Sequence, residues 1–108
     1  GFAVPRVPRA REVFLDAEAV TPPLHARSRL PGDCFTPLGM TGRKSLQDLF
    51  TDAKVPVAAR TRTPVVLDAR GIVWVAGLAL ADRVKVTPET RRLLRLRWSE
   101  PLLEENGR

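Results

Sequence analysis

The chain has 108 residues, with 18 Lys and Arg against 12 Asp and Glu, giving a formal net charge of +6 and a pI near 11.0. That length suits one domain, and a hydrophobic content of 44% excludes wholesale disorder. The single cysteine, Cys34, excludes an internal disulfide framework and a multi-cysteine zinc site, and no apolar run approaches the roughly 20 residues that span a bilayer.

Residues 1–11 carry two prolines and three arginines without apolar periodicity. They read as an irregular arm or the end of a preceding domain. Glu12 to Asp16 then reads as a short strand. Pro22-Pro23 excludes helix across the linker that follows. Leu24 to Arg29 reads as a second strand, with His25, Arg27 and Arg29 projecting from one face. Pro31-Gly32-Asp33 is turn chemistry. Phe35 to Gly42 reads as a structured loop, with Phe35, Leu38 and Met40 expected to pin it to the core.

The clearest helix starts at Ser45. Ser45 and Asp48 form an S-x-x-D cap, and Leu46, Leu49, Phe50 and Ala53 fall on one face. Lys54 suits the negative end of the helix dipole. Pro56 stops the helix, and Val57 to Thr61 reads as a short helical turn. Pro64 to Asp68 and Ile72 to Ala76 are two β-branched runs around a turn with Gly71, the pattern of a hairpin. Being apolar almost throughout, both strands are expected to be buried on both faces. Arg83 to Val86 reads as a brief extended piece. Leu94, Leu96 and Trp98 alternate with Arg95 and Arg97, which predicts a turn and then a strand over 91–98. Residues 99–108 read as a frayed polar tail. Together these predict an α+β fold: a small mixed β-sheet of about five strands with one main helix and short helical turns.

The charge is unevenly spread. Acidic residues are scattered, whereas cations fall in groups: Arg27 with Arg29, Arg43 with Lys44, Arg60 with Arg62, and Arg91 to Arg97. Fifteen of the 18 cations are arginine, which fits planar phosphate recognition better than solubilisation alone. Nucleic acid is the commonest anionic partner and an anionic membrane surface the alternative. Met40 is the only methionine, so the chain lacks an initiator and is expected to be a piece of a longer protein. It shows no signal peptide, and a cytoplasmic location is expected.

The segments Arg27-Ser28-Arg29, Pro31-Gly32-Asp33, Pro37-Leu38-Gly39-Met40, Gly42 to Phe50 and Asp52 to Pro56, in that order and spacing, resemble the C-terminal domain of the tRNA(Ile)-lysidine synthetase family. The resemblance continues through Arg60, Arg62, Pro64, the Asp68 to Gly71 turn, Ile72 to Gly77 and Arg83 to Thr87, and reaches back to Phe14-Leu15-Asp16. It covers residues 12–98, between the arm at 1–11 and the tail at 99–108. The family usually has a basic residue at the place of Cys34 and a second lysine at that of Ser45.

The resemblance implies a parent ligase that uses ATP, with magnesium, to join lysine to the wobble cytidine of tRNA(Ile). It places that chemistry in an N-terminal catalytic domain with a Ser-Gly-Gly-x-Asp-Ser phosphate loop. None of the seven glycines here adjoins another, so that loop is not in this chain. The expected role is therefore accessory and non-catalytic: holding tRNA on its acceptor-stem side. The candidate RNA contacts are Arg27, Arg29, Arg43, Lys44, Lys54, Arg60 and Arg62. Their chemistry suits backbone and sugar oxygens of A-form RNA.

The alternative is a module for interdomain packing or self-association with incidental charge; the strand over 91–98 offers an edge for pairing between copies. Neither a membrane nor a metal is expected as a partner. His25 has no Cys or His near it in sequence. Asp33 reads as a turn residue or the orienter of an arginine, and Cys34 as a small packed residue. Met40, Phe50 and Trp74 are assigned to the core.

Overall fold

A computed structural model describes residues 11–99. Its strands in chain order are β1 (Glu12–Asp16), β2 (His25–Arg27), β3 (Cys34–Phe35), β4 (Lys44–Ser45), β5 (Val65–Asp68), β6 (Gly71–Val75), β7 (Ala79–Leu80) and β8 (Leu93–Arg97). Helices α1 (Leu46–Asp52) and α2 (Val57–Arg60) lie between β4 and β5. The α+β class expected from sequence is the one observed. The arm and the tail fall, apart from Arg11 and Ser99, outside the described residues.

The strands do not form one mixed sheet. They divide into a β1–β8 ribbon, a sheet of order β2-β5-β6-β7 and a β3–β4 ladder, and every pairing is antiparallel. The reason lies in the connections. Parallel pairing needs a crossover of about a dozen residues or more. Only Ala69 and Arg70 separate β5 from β6, and only Ala76, Gly77 and Leu78 separate β6 from β7.

The β5–β6 hairpin is the centre of the core. Ile72, Val73, Trp74 and Val75 are all buried, as the unbroken apolar run of β6 requires. Phe50 and Leu46 of α1 cover one side, and Leu15 of β1 is fully buried in the same cluster. In the β1–β8 register Val13 stands opposite Leu96 and Leu15 opposite Leu94. The apolar positions of two arginine- and glutamate-rich strands thereby share one face of the ribbon.

Two expectations are corrected. Of the three residues expected to pin the loop, Phe35 is buried, whereas Leu38 and Met40 are exposed. The backbone does the pinning there: the Leu38 N–H donates to Leu80 O at 2.8 Å, and Pro37 bridges Ala81. The piece at 83–86 is not simply extended. Asp82–Val84 closes a short 3₁₀ turn, with Val84 buried inside it.

That turn is held by the most heavily bonded carboxylate among the described residues. Asp68, at the end of β5, accepts from Arg70 N–H and Gly71 N–H across the hairpin tip. It also accepts from Thr21 N–H in the linker after β1 and from both terminal nitrogens of Arg83. Its side chain is 0% exposed. Burial alone would push the carboxyl up, but Arg83 and the backbone donors outweigh it and hold the group far below the ordinary range.

A carboxyl depressed in the folded state contributes its full stability above the unfolded value, near about pH 4, and loses it as pH falls through the folded value. Asp68→Asn is therefore expected to cost about 3 kcal/mol at neutral pH. It should also flatten the loss of stability between about pH 5 and pH 2. Urea unfolding at both ends of that window checks this; equal acid losses in the two proteins would contradict it.

Candidate nucleic-acid interface

Arginine and serine in β2 and the segment after it meet arginine and threonine at the end of α2. The Ser28 hydroxyl donates to Thr61 O at 2.8 Å. Ser28 and Thr61 are the middle residues of two Arg-x-Arg triplets, Arg27-Ser28-Arg29 and Arg60-Thr61-Arg62. One hydrogen bond between segments 33 residues apart thus joins four arginines into one patch. A shallow groove of about 260 Å³ runs between Arg27 and Arg62, lined also by Ala26, Ser28 and Thr61.

The core supports the patch from beneath. The guanidinium carbons of Arg29 and Arg60 lie 5.9 and 5.8 Å from the centroid of the Phe50 ring. Each contact contributes on the order of 0.5–1 kcal/mol. Arg60 also donates from Nε to Val55 O at 3.0 Å, which fixes its direction. Arg29 Nε is a buried donor with no hydrogen-bond partner among the described residues.

Arg27 is engaged differently. It donates to both carboxylate oxygens of Asp33, at 2.9 and 3.0 Å, and to Ser28 O. Asp33 in turn accepts from Leu30 N–H. Asp33 is thus both a turn residue and the orienter of an arginine. The fork of Arg27 holds its carboxyl below the usual range, and Asp33 raises Arg27.

The remaining cations of the sequence reading surround α1. Lys44 pairs with Asp52, and Arg43 donates to Cys34 Sγ. Ser45 caps α1 by accepting from Asp48 N–H. Lys54 follows the helix with φ of 57°. Its N–H donates to Thr51 O, and the next N–H, of Val55, donates to Phe50 O. This is the Schellman ending, whose left-handed position glycine usually fills. Here a lysine fills it, and its amino group has no partner among the described residues.

The densest basic run in the sequence is not the freest. At the end of the β1–β8 ribbon Arg91 and Arg92 face Glu18, at 3.3 and 3.8 Å, and across it Arg95 faces Glu12 at 3.9 Å. Within the stitched patch only Arg27 has an acidic partner among the described residues. Trp98, on the ribbon's apolar face, lies under Arg11 at 4.6 Å. The sequence reading did not single out Arg70 and Arg83, which gather with Arg43 around a separate cleft. No group of three potential metal ligands occurs among the described residues, and none of the helices there is long and apolar enough to cross a membrane.

A family model described as the TilS substrate C-terminal domain matches residues 24–98. The tRNA(Ile)-lysidine synthase of Dehalococcoides mccartyi (strain CBDB1) is 36% identical over 85 residues, which are 79% of this chain and 18% of that protein. That of Symbiobacterium thermophilum is 39% identical over the same length and the same shares. The chain thus spans about a fifth of the length of these curated relatives. A crystal structure of a TilS C-terminal domain superposes with a TM-score of 0.69 at 30% identity, covering 93% of this chain and 81% of that one. An N-terminal fragment of the phenylalanyl-tRNA synthetase β-subunit from Pyrococcus horikoshii superposes with a TM-score of 0.65 at 15% identity, covering 81% of this chain and 28% of that one; it shares the fold.

The left-handed backbone of Lys54 gives a direct test. Lys54→Gly is expected to stabilise the chain by about 1 kcal/mol, because glycine adopts that backbone without the Cβ penalty. Thermal unfolding checks it; a lower melting temperature would contradict the reading of the helix end.

Proposed function

This chain belongs to the TilS substrate C-terminal domain family, and from that premise we propose that it is the tRNA-holding accessory domain of a tRNA(Ile)-lysidine synthase. It grips the acceptor-stem side of tRNA(Ile) through backbone oxygens. The observation that carries this reading is the Ser28–Thr61 bond, which gathers four arginines into one patch supported by Phe50. Three of them, Arg29, Arg60 and Arg62, have no acidic partner among the described residues. Guanidinium forks on a rigid base suit a row of phosphates, since A-form RNA is recognised mostly through its shape and backbone.

Lys54 extends the patch past the end of α1. A lysine held where glycine would cost less is the kind of local strain that accompanies a working side chain. Arg43 and Lys44 lie at the start of the same helix unit and complete the set. Arg27 acts mainly through Asp33, shaping the turn that the patch stands on.

The reaction is assigned to the rest of the parent protein. That part joins lysine to the wobble cytidine at the expense of ATP, with magnesium. With no two glycines adjacent, this chain does not fit the expected phosphate loop. Alone it neither hydrolyses ATP nor modifies tRNA.

A second reading, a packing module, has one observation in its favour. An apolar cleft of about 520 Å³ opens between Ala53, Val55 and Pro56 on one side and Ala76, Leu78 and Trp98 on the other. A neighbouring domain could fill it. Self-association through β8 is the weaker form of this reading, because one edge of β8 is already paired with β1.

The salt dependence of tRNA binding separates the readings. Binding through several phosphates weakens steeply as salt rises. Arg62 makes no side-chain hydrogen bond or ion pair among the described residues, so Arg62→Ala should leave stability within about 0.5 kcal/mol. It should also lower the salt slope by about 1 and weaken binding a few-fold at low salt. Salt-independent binding, or no binding at low salt, would favour the packing module.

A further inference from the structure

Arg43, Arg70 and Arg83 come from three elements distant in sequence and line one cleft of about 370 Å³. Phe35 and Ile72, both buried, lie at its wall. In the β3–β4 register Lys44 stands opposite Phe35, which sets Arg43 level with Thr36. Arg70 sits at the tip of the β5–β6 hairpin. Its backbone N–H is fixed by Asp68, and its guanidinium has no partner among the described residues. Arg83 is locked by Asp68 and by Gly71 O, which accepts at 3.2 Å. Arg43 donates to Cys34 Sγ and has no acidic partner among the described residues.

One acid, Asp82, also lines the cleft. Its Oδ1 already accepts from Gly39 N–H, and both of its oxygens lie near Lys85 Nζ. The charge of Arg83 is balanced by Asp68. The charges of Arg43 and Arg70 are not balanced by any described ion pair. The cleft therefore carries two guanidinium groups without an acidic partner among the described residues around a concave space, with Thr36 among its lining residues. Its volume lies in the range of small-molecule sites.

We propose that this cleft is a binding site for a phosphomonoester, clamped between Arg43 and Arg70 while Arg83 and Asp68 hold the hairpin tip in place. The concavity favours a chain end or a small molecule over the ridge of phosphodiesters along a duplex. Two sources carry this group: the 5′ end of an RNA and a free mononucleotide. Only the RNA source rests on the tRNA-holding reading above; the anion chemistry stands without it.

The test is calorimetric titration of the full chain with adenosine 5′-monophosphate, adenosine, and one RNA hairpin bearing either a 5′-phosphate or a 5′-hydroxyl. For an RNA end, the phosphorylated hairpin binds about five- to tenfold more tightly than its hydroxyl twin. Arg70→Ala erases that difference while leaving the hydroxyl hairpin unchanged, and Arg70→Lys restores part of it. For a mononucleotide, the two hairpins bind alike, and adenosine monophosphate exceeds adenosine by the same factor in an Arg70-dependent way. In either case binding weakens below about pH 6, where the monoester gains a proton and the arginines do not.

If neither hairpin binds but the monophosphate does, the tRNA-holding reading fails and the cleft stands. If the phosphate adds nothing in either pair, the cleft proposal is overturned, whatever the hairpins do. Arg70 is exposed and unpaired among the described residues, so unchanged thermal unfolding of Arg70→Ala keeps the comparison a matter of binding.

Discussion

One buried carboxylate ties the architecture together. Asp68 receives hydrogen bonds from the linker after β1, from the tip of the central hairpin and from Arg83 in the turn beyond β7. Thr21 and Arg83 lie 47 and 15 residues from Asp68 in sequence, and neither belongs to its ladder. A buried carboxylate without such partners would be strongly unfavourable, so the folded state must bring all of them to it at once. The bonds orient the hairpin tip, and with it Arg70 and one wall of the arginine cleft. They also fix where the chain leaves the ribbon before turning into β2, the strand that carries Arg27.

From that frame the candidate interface follows by short steps. The Ser45 cap starts α1, which buries Phe50 and ends on Lys54. Phe50 lies beneath Arg29 and Arg60. The Ser28–Thr61 bond then sets Arg27 and Arg62 on either side of a groove. All of these cations but Arg62 are held by something behind them: an aromatic ring, a carbonyl, a carboxylate or a strained backbone. Such pre-orientation matters for a surface that binds a polyanion, because side-chain ordering otherwise subtracts from affinity.

The local parts of this arrangement were legible in the sequence. The α1 cap, its apolar face, the hairpin around Gly71 and the strand at the end of the chain all carry a period or a turn residue that reports them. The long-range polar bonds do not. Nothing in the spacing of Ser28 and Thr61 marks them as partners, and nothing near Asp68 points to Arg83. Knowing that Arg91 to Arg95 are balanced by Glu12 and Glu18 requires the register of the ribbon. The sequence therefore shows where cations are dense, and only the fold shows where they are free. Lys54 is a case of its own: a left-handed helix end without glycine leaves no local signal. Leu38 and Met40 misled in the opposite direction, since their loop is held by backbone bonds and leaves its apolar side chains outside.

The most direct test of the account is to watch the arginine side chains themselves. With nitrogen-15 arginine in the chain, the Nε–H signals of the patch can be followed as tRNA is added. The account predicts that Arg29, Arg60 and Arg62 shift together at low salt and return as salt rises. Shifts confined to Arg95 and Arg97 on the β1–β8 ribbon, with the patch unmoved, would contradict it.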